Sequence, residues 1–519
     1  MSWNRRYAAA GMIAGALVAT MLPHSEAQPQ INETVKPDEY LILGDANRGA
    51  GEPMIAVNRN DPDNIVIVAM ATLHRLPNGE APDGPIPPTG PGVGSVAHSM
   101  TQRVRELSTQ DETVTDVAVT RDGGKTWEFS TDRFRQFFKR NRCHDSFAGA
   151  GPDGTMYFGC IPHIASDNTD FDQGYTQGGE PRNMRGGSAI AWSEDKGRTW
   201  SDPVWVHPDH SPQLYAPGLS GRLRFEYASP WDRPYFAADD STGTIYVSGS
   251  GGGTFIRASH DRGRTWGIIY PLVSDDYPGG GGFGSTFSAG HGLLVTAYNA
   301  NRVPEELHAQ CPCPVLGTSR DDGKTWTHYL LPNVPPEPGP PPAAAPAPAA
   351  GAPGRGGRGG FGGPSYVIAV DPSRSGRYAL ARVGLARITV SVSEDGGKTW
   401  SNPVAAAEVP PGHAIGHRGM KFSPKGDLAL FWLKQIRADY PAGGYDVWTA
   451  ASRDGGKTFK TVRLSRDISP VVSRERGNFL FGNDLSSMDV DGRFVHVVWG
   501  DNRTGFLGTW YGRVPLSAY

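Results

Sequence analysis

Short β-branched and aromatic runs come in pairs along this chain, each pair broken by a polar turn. "EPMIAVN" precedes "NIVIVAMA", "DSFAGAG" precedes "TMYFGC", and "RPYFAAD" precedes "TIYVSGS". "STFSAG" and "LLVTAYN", "SYVIAVD" and "RYALARV", and "GMKFSP" and "LALFWL" continue the series. Such runs at regular spacing predict an all-β repeat array. A seventh pair lies in "NDLSSMDVDGRFVHVVWGDNRTGFLGTWYGRV", with Asp501 to Gly505 where another turn motif is expected, followed by one more strand, "TWYGRV".

One turn repeats after six of these pairs. It reads "TRDGGKTW", "SEDKGRTW", "SHDRGRTW", "SRDDGKTW", "SEDGGKTW" and "SRDGGKTF", with its aspartates at Asp122, Asp195, Asp261, Asp321, Asp395 and Asp454. The interval of roughly 60 to 75 residues suits a four-stranded blade with variable loops rather than a helical solenoid. The aspartate can accept hydrogen bonds from its own turn. The glycine allows a positive φ. The terminal aromatic can plug the space between neighbouring sheets. These residues read as staples of the fold.

The six copies resemble the Asp-box (BNR) repeats of the sialidase-type β-propeller superfamily. The resemblance implies a propeller of four-stranded blades. It leaves activity open, because sialidases, other glycosidases, lyases and binding proteins share the repeat. The pairing count favours seven blades over the six of sialidases. The early stretch "DEYLILG", from Asp38, is then the missing outer strand of the last blade, which would remove a free sheet edge.

Composition adds bounds. At 519 residues the chain is long for an ordinary single domain, a limit a propeller escapes because blades pack only on their neighbours. A net charge of -3 gives no surface suited to nucleic acid. The 68 glycines and 44 prolines fit turns and long loops. Residues 1–27 read as a secretory signal peptide: Arg5 and Arg6, an apolar stretch from Tyr7 to Leu22, and small residues Ser25 and Ala27 before the cut. No later segment is long and apolar enough to span a bilayer. The expectation is a secreted or periplasmic, monomeric protein whose residues 28–519 form one propeller. Residues 332–364, rich in proline, glycine and alanine, read as a disordered insertion between blades. In an exported chain the cysteines are expected to be oxidised. Cys143 and Cys160 flank one predicted hairpin and are expected to pair, whereas Cys311 and Cys313 could form a small ring, pair elsewhere or stay reduced.

Loop lengths then separate two faces. Turns within strand pairs, and the repeated boxes, fall on one face and are short. The long segments fall on the other, where function tends to sit. The residues at or just before each inner strand on that face form a polar ring: Arg48 and Glu52, His144 and Asp145, Asp232 with Arg233 and Tyr235, Ser285 and His291, Ser365, His417 with Arg418, and Asn483 with Asp484, with Arg474, Glu475 and Arg476 upstream. Convergent carboxylates, arginines and histidines suit an anionic sugar.

By resemblance to sialidases, Arg48, Arg233, Arg418 and Arg476 could supply an arginine triad; His144 and His417 of the ring are further substrate-binding candidates and, with His291, keep open a lyase whose base is a Tyr or His. Asp145 or Asp232 would be the acid/base, and Tyr235 with Glu52 the nucleophile pair. The Arg-Ile-Pro motif that opens a sialidase's first blade is absent here; the chain has "RGAGEP". The expected function is a glycoside hydrolase acting on extracellular glycans. A polysaccharide lyase acting on uronates, and a non-catalytic carbohydrate- or protein-binding propeller, stay open. No cofactor is expected. "DNTDFDQG", Asp167 to Gly174, offers the spaced oxygen ligands of a possible Ca²⁺ loop against a plain acidic one.

Overall fold

A computed structural model of the chain describes residues 30–32, 35–45, 48–73, 113–130, 141–165, 184–185, 188–207, 232–250, 254–279, 287–331, 365–436, 444–470, 485–505 and 507–519. They form seven antiparallel sheets of four or more strands arranged as a β-propeller. We number the blades I to VII from the inner strands Arg48–Val57, Asn141–Ala150, Asp232–Ala238, Phe287–Gly290, Ser365–Val370, His413–Phe422 and Ser487–Val490. Among the described residues, helix is confined to two short 3-10 turns, Glu305–Leu307 and Leu516–Ala518.

The ring closes as the strand count requires. The C-terminal end of the chain supplies three strands of blade VII and Asp38–Leu43 supplies the fourth, antiparallel to Gly508–Pro515 with Tyr40 opposite Tyr511. Arg513 Nε donates to Asp38 Oδ2 at 2.9 Å across this seam. Behind it lies a buried charge network. Arg503 bridges Glu39 at 2.8 Å and Asp501 at 2.5 Å, and the Arg466 N–H donates to Glu39 at 3.0 Å. Desolvation pushes the Glu39 carboxyl up, against the pull of these partners. A second N-terminal segment, Gln30–Ile31, adds a parallel strand to the outside of blade VI.

Asp501 therefore has a different place from the one its sequence suggests. It ends the second strand of blade VII, and Asn502 to Gly505 follow on the loop-rich face, opposite the boxes. The last chain segment supplies only three strands, so the connection after "WGD" cannot be the third-to-fourth turn where boxes sit.

The six boxes share one geometry. In each, the leading Ser or Thr hydroxyl accepts the glycine N–H at 2.7–2.9 Å. Aspartate Oδ1 accepts the threonine N–H at 2.8–3.0 Å. Oδ2 accepts the threonine hydroxyl at 2.5–2.7 Å. The glycine has φ between 78° and 92°, a region costly for other residues. The aromatic then seals a seam. Trp127 of blade I meets Tyr511 of blade VII edge-on at 5.6 Å. Trp326 of blade IV packs with Tyr246 and Ile256 of blade III and donates to Pro271 O at 3.3 Å. The apolar clusters of the core run mainly between adjacent sheets in this way.

Boxes and inner-pair turns lie on the same face. Lys196 in the second box pairs with Asp61 at 2.6 Å, and Arg262 in the third pairs with Asp153 at 3.0 Å. His291 lies on this face too, in the turn between Gly290 and Leu293, where its Nε2 meets Asp371 O at 2.8 Å. It is not part of the ring at the opposite mouth; its strand is short and the turn arrives early. Cys311 and Cys313 form a disulfide. Cys160 is buried and no described cysteine is a free thiol, but the side chain of its expected partner Cys143 lies outside the described residues, as do 1–29 and 332–364.

Two outcomes follow. Trp326→Ala should lower the unfolding free energy by roughly 2–4 kcal/mol through lost interblade packing. Asp321→Ala should cost about 1–2 kcal/mol through orphaned turn donors. Urea melts of both, with unchanged spectra of the folded state, check this; a parent-like midpoint for Trp326→Ala contradicts the stapling role.

The boxes also set the acid limit. All six aspartates are held below the ordinary value of 3.8. The Thr399 hydroxyl, then the Thr399 N–H, bring Asp395 to about 2. At Asp195 desolvation acts upward, but the Thr199 hydroxyl and N–H outweigh it and the group again sits at about 2. A depressed folded pKa gives stability that is present above the unfolded value and is lost as pH falls through the folded one. Stability should therefore fall between about pH 4 and pH 2. Asp195→Asn should be less stable than the parent at neutral pH and approach it near pH 2, as read by thermal melts across pH.

Candidate functional site

Three successive inner strands break in the same way, halfway down the channel. In blade I, Gly51 faces Met70 and Met54 faces Val68, so Glu52 and Pro53 lie opposite one residue. Asp145 and Ser146 do the same in blade II, and Arg233 and Pro234 in blade III. Each is a β-bulge, which leaves one residue off the ladder and re-aims its side chain. The first bulge residue is left-handed each time: φ is 53° at Glu52, 46° at Asp145 and 51° at Arg233. Glycine would adopt this conformation freely, whereas a residue with a side chain holds it at a cost of order 1 kcal/mol or more. Proline suits the second position because no ladder partner waits for an N–H there. In blade II, Ser146 fills it and shares a 2.7 Å hydrogen bond with Thr115 of blade I. Blade VI bulges at the equivalent place with Gly416 and His417.

The bulges bring one set of groups together. Arg233 N–H donates to Asp145 Oδ2 at 2.9 Å, joining blades II and III. Tyr235 and Arg418 are the residues that rejoin the ladder in blades III and VI, which stand nearly opposite in a ring of seven. The charges of Arg233, Asp145, Arg418 and Glu52 all act on the Tyr235 hydroxyl. Desolvation comes first and, with the two carboxylates, outweighs the two arginines and pushes that hydroxyl well above its ordinary value, so it is a protonated phenol in the free protein. Desolvation also lowers Arg418, whose Nη1 reaches Gly416 O at 3.4 Å. His417 sits in the same wall, with Nδ1 at 3.0 Å from Ser486 Oγ of blade VII. Desolvation first, then the Arg418 and Arg233 charges, bring it down to about 3, so it is neutral at physiological pH. Tyr235, His417 and Arg418 are only partly exposed, as side chains facing a narrow channel would be.

Six residues expected from sequence thus meet in space: Glu52, Asp145, Arg233, Tyr235, His417 and Arg418. Arg48, His144 and Asp232 occupy the loop-rich ends of the same inner strands, with side chains outside the described residues. Ser365 is likewise placed by backbone alone. Ser285, Arg474, Glu475, Arg476, Asn483, Asp484 and the Asp167 to Gly174 loop lie outside the described residues. Ser486 went unnoticed in the sequence, as did the bulges. A signal exists once strands are aligned: "GEPM", "HDSF" and "DRPY" each place a charged residue before Pro or Ser and then a large residue that rejoins the ladder. Among the described residues no group of His, Cys, Asp and Glu could hold a metal ion.

No family model and no curated protein matches the chain. Solved structures do. A protein of unknown function from Dyadobacter fermentans has a TM-score of 0.42 at 13% identity, covering 80% of this chain and 97% of its own. The Hadza microbial sialidase Hz136 gives 0.40 at 15%, covering 80% and 66%. Trypanosoma rangeli sialidase with 2,3-difluorosialic acid gives 0.38 at 13%, covering 94% of this chain and 58% of its own. The chain thus spans under two thirds of these sialidase chains, and the likeness is one of fold alone.

The bulge conformation makes a direct test of purpose. Glu52→Gly removes both a left-handed side chain and a buried carboxylate (Glu52 is 6% exposed). It should leave stability equal or raise it by about 1 kcal/mol, while abolishing any ligand-dependent signal. Parallel melting and binding assays read the two effects; a clear loss of stability would mean that the bulge serves the fold.

Proposed function

We propose that this protein is an exported, glycan-acting propeller that hydrolyses the linkage of an acidic sugar at the loop-rich mouth of its channel. The observation that carries this reading is the triple bulge: Glu52, Asp145 and Arg233 are held at energetic cost around Tyr235, across from Arg418. A planar guanidinium binds a carboxylate through two parallel hydrogen bonds. Arg233 and Arg418 take the sugar's acidic group. Asp145, partly exposed beside Arg233, transfers the proton to and from the leaving oxygen. Tyr235, protonated at rest, becomes a nucleophile only if a base removes its proton, and Glu52 is the carboxylate placed for that. The side chains of Asp232, Arg48, His144 and Arg476 would extend the same ring toward the mouth. His417 is too weakly basic to abstract a carbon-bound proton, so a lyase would need Tyr235 or His144 as its base. The N-terminal stretch would direct the protein to the periplasm or outside the cell, and among the described residues no helix is long and apolar enough to cross a membrane.

The test is turnover of a panel of acidic glycans by the mature protein. Hydrolysis yields a new reducing end without ultraviolet absorbance; a lyase yields an unsaturated, absorbing product. Asp145→Asn should lower kcat by roughly 100-fold or more with little change in KM. Arg418→Ala should raise KM and lower kcat/KM by a similar factor, with melting temperature near that of the parent. Binding without turnover would make it a lectin-like propeller, and neither binding nor turnover would overturn the reading.

A further inference from the structure

Blade VI departs from the pattern of the other bulges, and the departure leaves an opening. Where blades I to III place Glu52, Asp145 and Arg233, blade VI has Gly416. Its φ is not left-handed, so backbone freedom does not explain the glycine. Space does. A Cβ at Gly416 would collide with the carboxamide nitrogen of Gln435 and lie 2.7 Å from its Cδ. Gln435, from the second strand of blade VI, thus fills the place where a bulge side chain would start. It is 3% exposed. The neighbours point to a ligand. Arg418 Nη1 reaches the oxygen of the same Gly416, so guanidinium and carboxamide meet on one residue. His417, next in the chain, is tied to Ser486 through one ring nitrogen.

We propose that Gln435 is a specificity residue of this site, reading an uncharged sugar hydroxyl beside the acidic group that Arg418 holds. This rests on the acidic-glycan reading above. A carboxamide gives and accepts hydrogen bonds at once, as a hydroxyl does. It has no charge to compete with the arginines for a carboxylate. A site built to hydrogen-bond a hydroxyl discriminates strongly against an analogue that lacks it, because its own polar groups are then left unpaired.

The experiment has two parts. Calorimetric titration uses glucuronate, galacturonate and the monodeoxy forms of whichever binds. The parent should lose at least about tenfold in affinity for one deoxy position. Gln435→Leu should bind that analogue and the intact sugar within twofold of each other, while still losing affinity on Arg418→Ala. In parallel, urea melts of Gly416→Ala, Gln435→Ala and the double variant read the placement. Gly416→Ala should destabilise the parent and be tolerated when residue 435 is alanine. If the parent binds and Gln435→Leu keeps the parent's discrimination, the inference falls alone. If Gly416→Ala costs the same in both backgrounds, the carboxamide does not occupy the hollow and the inference falls. A parent that binds neither uronate overturns the acidic-glycan reading for these sugars and the inference with it.

Discussion

Every sheet of this protein is apolar on both faces, and that constraint organises the rest. Such a sheet must be covered on each side, so the blades must close into a ring rather than end. Closure falls to a seam of non-contiguous chain, Asp38–Leu43 against Gly508–Pro515. The seam is not left to backbone bonds alone. Arg503 sits between Glu39 and Asp501, all three largely withdrawn from water. Burying a charge this way costs more than an apolar contact would unless each partner is satisfied. The network marks which strand belongs in the last place, since a wrong strand would strand Arg503 and Asp501 without Glu39.

Closure also fixes what the inner strands can do. Their lower halves keep a regular ladder and pass hydrogen bonds from blade to blade, as when Val57 N–H donates to the buried Asp489 at 2.8 Å. Lys421 lies 3.2 Å from the same carboxylate. Above that belt the ladder can break without opening the ring, and it does so in blades I, II, III and VI. The box face carries the repeated turns, with left-handed residues of their own at Lys196, Arg262 and Asp322, and the opposite half of the channel carries the bulges.

The parts legible in the sequence were those whose chemistry is local. A box needs eight contiguous residues, so its six copies and their hydrogen bonds could be read directly, and the strand pairs counted seven blades and located the closing strand. What was not legible depended on register. Asp501 looks like a box aspartate until the strands are counted from the seam. His291 looks like a ring residue until the short blade IV strand is seen to turn before it. The bulges were hidden for the same reason: one extra residue in a strand leaves the local composition unchanged yet moves a side chain from one face to the other. Gln435 carries no sequence signal of its own, because its place depends on what Gly416 lacks.

Strain and purpose meet most closely at Asp145. It accepts the N–H of Arg233, the next bulge residue, so one left-handed residue holds the backbone of another in position. The bulges of blades II and III are thus coupled, and relaxing either would loosen both. A purely structural channel would gain nothing from such coupling; glycine at both positions would fold with less cost. Keeping a carboxylate and a guanidinium there makes sense if their placement to within a fraction of an ångström matters to something that enters the channel, which is what the proposed binding of an acidic saccharide requires.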